Sequence, residues 1–178
     1  MEREMDLRGK EAVSLSSLVK QEYQIPDSYY FGEVKRGLRN SDGTGVLIGV
    51  TKVGSVQGYL IEDGRRVPVP GKLYYRGIDL NEIVEAHRKS GTFGYEEVAY
   101  LLLMGNLPTK SELSYFNDIM CRARKLPEGF TEGMIMRHPS RDIMNDLARS
   151  VLLLYSYDEN PDDISAENLL TQSIKLIG

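Results

Sequence analysis

From Ile78 onward, apolar side chains recur every three to four residues in separate runs, each with its own start and stop residues. That pattern predicts a succession of amphipathic helices. In GIDLNEIVEAHRKSG, Asp79 stands at a cap position with Glu82 three residues on, Ile78 and Ile83 are spaced as a hydrophobic staple, and Gly91 supplies the stop. GYEEVAYLLLMG has Glu96 and Glu97 near its start, where the helix dipole favours acids, and Gly105 at its end. Val98, Ala99, Leu101, Leu102 and Leu103 cover most of its circumference, so it is expected to be the most buried helix. In PTKSELSYFNDIMCRARKLP, Thr109 and Glu112 form a second capping pair, Leu113, Phe116, Met120 and Ala123 share a face, and Pro127 closes the run. Ile143, Leu147, Val151 and Leu154 are in register in the next helix, and ENPDD is a loop. The last run, NLLTQSIKLIG, lays Leu170, Ile174 and Ile177 along one stripe that needs a partner.

Upstream the signals change to strand. VLIGV, VQGYLIE, RRVPV and KLYYRG, between Val46 and Tyr75 or just beyond, are short β-branched or aromatic runs, and Asp63-Gly64 between two of them is a hairpin turn. Pro68 and Pro70 lack the amide a ladder needs, so their strand is expected to lie at an edge or to break there. A small antiparallel meander followed by helices is the resulting fold class, mainly α. Residues 1 to about 40 read as an N-terminal arm, with a short helix in LSSLVKQEYQI presenting Leu15, Leu18 and Val19.

Composition narrows the function. At 178 residues the chain is long enough to bury a core without disulfide or metal staples. With 22 Lys and Arg against 26 Asp and Glu the net charge is -4, and no basic patch is interleaved with aromatics, so nucleic acid is not an expected partner. Lys35, Arg36 and Arg39 cluster loosely, which leaves room for a small phosphate ligand or simply a solvated turn. Cys121 is the sole cysteine, which rules out an intramolecular disulfide and fits a reducing compartment. The acidic, polar start is no secretory signal and no apolar run is long enough for a membrane span, so a cytoplasmic protein with no membrane partner is expected.

Candidate chemistry is sparse. His87, in the last turn of a charged helix, reads as a dipole partner, and His138, before Pro139, as a structural hydrogen-bonding group. Neither belongs to a metal-ligand pattern. The glycines of DGTGVLIG fit no nucleotide loop, and a strand follows where a helix would be needed. No nucleophile elbow is present. These readings assign no catalytic residue, no metal and no cofactor.

Four stretches take the reading further: GLRNSDGTGVLIGVTKV with GKLYYRGIDLNEIV, then FGYEEVAYLLLMGNLPTKSEL, then HPSRDIMNDLARSVLLLYSYDENPDD. Together they resemble the N-terminal part of citrate synthase, the most specific element being an aromatic-Arg-Gly turn leading into a helix, followed by EEVAYLLLMGNLPT. The resemblance covers 35–178 and implies there a citrate-synthase-like portion of the large domain, leaving 1–34 as an arm expected to be partly flexible. That portion would hold a meander at about 46–75 and helices at about 79–178. It implies condensation of acetyl-CoA with oxaloacetate, in which an Asp removes a methyl proton, one His holds the enolate oxygen, a second His polarises the ketone and arginines clamp the carboxylates. By the same resemblance all of those groups lie downstream of Gly178, so the chain is expected to be a fragment, inactive alone, within a homo-oligomer. One site residue carries over: Arg39, in RGLRN, matches an arginine that reaches phosphates of the partner subunit's CoA, a solvated turn arginine being the alternative. The His138-Pro139 pair matches a family pair of structural role. Rival readings are 2-methylcitrate synthase, which uses propionyl-CoA, and a stand-alone helical interaction module.

Overall fold

A computed structural model of the chain describes residues 15–20, 25–26, 44–46 and 50–178. It is mainly helical with one small antiparallel sheet, as the hydrophobic pattern predicts. Two compact units divide it, one drawn from residues 19–113 and the other from 114–178 together with 15–18.

In the first unit, strands β1 (Gly54–Glu62), β2 (Arg65–Tyr75) and β3 (Ile78–Asp79) form the sheet in that order. Asp63 and Gly64 make the first turn with φ of 50° and 72°, the mirror-image geometry that fits a two-residue hairpin. RRVPV and KLYYRG, expected as separate strands, are one continuous β2. The prolines are accommodated in two ways. β3 pairs only with Tyr74 and Tyr75, so among the described residues the Pro68–Pro70 segment has β1 on one side and no strand on the other. The register also shifts there, Tyr59 facing Pro68 but Gln57 facing Lys72, which drops Pro70 out of the ladder. The expected strand VLIGV falls largely on residues outside those described.

Helix α1 (Leu80–Ser90) starts at Asp79, whose carboxylate accepts from the Asn81 amide at 2.9 Å rather than joining Glu82 in a reciprocal box. It ends at Gly91, φ 66°, whose N–H donates to the His87 carbonyl. Helix α2 (Tyr95–Met104) exposes only Tyr95 and buries Tyr100, Leu101 and Met104, in line with its apolar circumference. Gly105, φ 95°, closes it through a bond to the Leu101 carbonyl. Helix α3 (Lys110–Ala123) opens with a complete capping box: the Thr109 amide donates to Glu112 Oε2 at 2.7 Å and the Glu112 amide to Thr109 Oγ1 at 3.3 Å.

The second unit is centred on the buried face of α3, Phe116, Ile119 and Met120. The stripe on the final helix, α5 (Ala166–Ile177), does find cover within this chain: Leu170 and Ile174 are buried. At its end Gly178 sits so close to α3 that an added Cβ would lie 2.9 Å from Ala123 Cβ and 3.2 Å from the Met120 carbonyl oxygen. Ser16 donates to Glu167 Oε1 at 3.4 Å, and Leu15 and Ser16 are buried in the same unit. Helix α4 (Ile143–Leu154) behaves differently. Its stripe of Ile143, Leu147, Val151 and Leu154 forms in register, yet no residue of the helix is buried. It is capped by Asp142, which accepts from the Asn145 amide at 3.0 Å, and followed by a 3-10 turn at Tyr155–Tyr157. Preceding it, Thr131–Met136 forms a π-helical turn that no periodicity in the sequence announces.

Candidate functional site

Arg39, the one site residue carried over by resemblance, lies outside the described residues, as do Lys35 and Arg36. Among the described residues no group of His, Cys, Asp and Glu side chains is arranged to hold a metal ion, and no helix is long and apolar enough to cross a membrane.

The polar clusters that do form are built around helix ends. His87 is one. Its Nδ1 lies 2.9 Å from Thr92 Oγ1, Thr92 Oγ1 lies 2.7 Å from Ser90 Oγ, and Nε2 is 3.8 Å from Glu97 Oε1. The imidazole fills the space above Gly94, where a Cβ would meet the ring at 2.5 Å. A histidine, two hydroxyls and an acid thus meet, but the carboxylate is beyond hydrogen-bond reach, and the ring serves as a joint between the end of α1 and the start of α2. His138 contributes its carbonyl, which accepts from Arg149 Nη2 at 3.2 Å, while Arg149 also pairs with Asp146. His87 thus does more than sit at a helix end, its ring packing between α1 and α2, whereas His138 is exposed and engages Arg149 through its backbone carbonyl alone.

At the start of α1, Lys72 Nζ approaches Asp79 Oδ2 at 3.4 Å. Tyr74 first and Asp79 second hold Lys72 above its ordinary range, and the Asn81 amide holds Asp79 below its own. At the start of α3, hydrogen bonds from Thr109 keep the Glu112 carboxyl below the usual carboxylate range. Burial, then the neighbouring Glu112 charge, pushes the Tyr100 phenol up. Tyr155 donates to both oxygens of Asp162 at 3.0 Å, and that bond raises its phenol. A shallow groove on α3 is lined by Tyr115, Asp118, Cys121 and Arg122, with Arg124 Nη1 3.9 Å from Cys121 Sγ. None of these sets places a base beside an activated nucleophile.

The capping box makes a quantitative expectation. Thr109→Ala removes the side-chain acceptor at the start of α3 and is expected to cost about 1 kcal/mol in urea unfolding. Because the folded Glu112 carboxyl is depressed, its contribution is present above the carboxylate's unfolded pKa and is lost as pH falls through the lower folded value. Glu112→Gln is accordingly expected to flatten the acid side of the stability profile, measured as denaturation midpoint against pH. An unchanged acid limb would contradict the assignment.

One group of consequence escaped the sequence reading. Arg76, in the aromatic-Arg-Gly turn, has a left-handed backbone and directs its guanidinium to the Leu102 carbonyl. A two-residue hairpin ending in Gly77 was the available signal, since such turns call for positive φ at both positions.

Comparison with known proteins identifies the family. A family described as "Citrate synthase, C-terminal domain" matches residues 42–178. The citrate synthase of Haloferax volcanii is 31% identical over 132 residues, which is 74% of this chain and 29% of that protein. That of Corynebacterium glutamicum is 38% identical over 87 residues, 49% of this chain and 18% of that protein. The crystal structure of citrate synthase from Pyrobaculum aerophilum superposes with a TM-score of 0.55 at 26% identity, covering 83% of this chain and 37% of that one. The mainly helical fold with its small meander is of the class seen in the Pyrobaculum aerophilum structure. It belongs to the citrate synthase family. The chain spans well under half the length of each of these relatives.

Proposed function

We propose that this chain is a portion of a cytoplasmic citrate synthase that condenses acetyl-CoA with oxaloacetate to citrate and CoA in the tricarboxylic acid cycle. The observation that carries the reading is the family match running unbroken from residue 42 to 178. In this reading residues 35–178 supply the N-terminal part of the large domain, residues 1–34 an arm, and Arg39 a guanidinium for the phosphates of CoA bound at the partner subunit. The portion works inside a homo-oligomer, and the unburied apolar helix α4 is the face that supports this. Alone it is inactive, because the described side chains supply no base beside a bound thioester and no carboxylate clamp.

The test is CoA release from acetyl-CoA and oxaloacetate, followed with a thiol reagent. The chain alone is expected to give none. The chain joined to the remaining portion of the Haloferax volcanii enzyme is expected to give turnover, and Arg39→Ala in that joined protein to raise KM for acetyl-CoA with kcat little changed. Turnover by the isolated chain would overturn the inactivity. An unaffected KM would return Arg39 to a solvated turn.

A further inference from the structure

The aromatic-Arg-Gly turn is the most specific motif in the sequence, and the proposed activity gives it no task. We infer that Arg76 is a helix cap delivered from the sheet: its guanidinium holds the C-terminal end of α2, and the strained turn exists to aim it there. Arg76 adopts φ 50° and Gly77 φ 85° between β2 and β3. The left-handed region costs a side-chain-bearing residue free energy that glycine does not incur, so an arginine persists there only when its surroundings hold it. Three bonds do so. The Arg76 amide donates to the Val53 carbonyl at 2.9 Å, and Nη2 and Nε donate to the Leu102 carbonyl at 2.7 and 3.3 Å.

Leu102 lies in the last turn of α2, whose final carbonyls have no donors within the helix. Gly105 serves the Leu101 carbonyl, and Arg76 serves the next one. Charge points the same way. The last turns of α1 and α3 carry their own basic residues, whereas that of α2 carries none, and the positive group favoured by the negative end of its dipole arrives on Arg76. The site is partly buried, where a charge-assisted bond to a carbonyl is stronger than at the surface. The turn thus couples the meander to the most buried helix within one unit, and this holds whether or not the proposed activity is found.

Equilibrium unfolding of Arg76→Gly separates this role from simple turn strain, because glycine relieves the backbone while removing the guanidinium. A cap predicts a roughly 10- to 100-fold fall in the folding equilibrium constant, with Arg76→Lys recovering part of it, since an ammonium keeps the charge but not the fork. An Arg76→Gly protein as stable as the parent, or more so, would overturn the inference. Should the glycine variant not fold, the unaltered protein decides: a through-hydrogen-bond NMR coupling from the Arg76 side-chain nitrogens to the Leu102 carbonyl carbon is expected, and its absence overturns the cap.

Discussion

Phe116→Ala is expected to lower the stability of the folded chain by about 3–5 kcal/mol, a large share of the roughly 5–15 kcal/mol that holds an ordinary domain folded. Phe116 is 1% exposed at the middle of α3, next to Ile119 and Met120, which are fully enclosed. Truncation removes the transfer free energy of a benzyl group and leaves a cavity that helices on a close-packed face cannot fully collapse. Phe116→Leu refills much of the volume and should recover more than half of the loss. Urea unfolding monitored by circular dichroism reads both. A loss below about 1 kcal/mol for the alanine variant would mean that this face is loosely packed and that α3 does not centre its unit.

That core was legible in the sequence because α3 advertises itself three times over, through the Thr109/Glu112 box, the apolar spacing from Leu113 to Ala123, and Pro127. The stops of α1 and α2 were legible for the same reason: Gly91 and Gly105 are left-handed caps that glycine makes without strain. Tertiary and multi-residue effects were not. Pro68 and Pro70 left an edge or a break as alternatives, and β2 takes the edge: among the described residues only β1 flanks that segment, and a shifted register removes the demand for their amides. Arg76 could not be read as a cap, since its acceptor is Leu102, distant in sequence. The π turn at Thr131–Met136 follows no hydrophobic period. Of the site, His87 was readable as a helix-end residue but not as the ring that packs against Gly94 and Thr92, and Arg39 rests on resemblance and lies outside the described residues.

The stripe on α5 and the stripe on α4 look alike in sequence, yet only the first is covered, and that contrast yields the second large expectation. Ile143, Met144, Leu147, Val151 and Leu152 all lie exposed on α4, with Leu152 at 75%. They occupy more than one side of the helix, and a helix apolar over most of its circumference is stable only when buried on those sides. Contiguous exposed apolar surface of this kind marks an interface, and in the proposed homo-oligomer a second copy covers it. Leu152→Glu should leave the stability of the monomer within about 0.5 kcal/mol, because the side chain touches water in the single chain. It should raise the dissociation constant of self-association by roughly 30- to 1,000-fold, the equivalent of about 2–4 kcal/mol for placing a carboxylate where an apolar anchor was buried. Sedimentation velocity over a range of concentrations measures the shift. A parent chain that stays monomeric at the highest attainable concentration would rule out a second copy and assign the face to the remaining portion of the proposed synthase instead. A Leu152→Glu variant that associates as tightly as the parent would move the contact off α4 altogether.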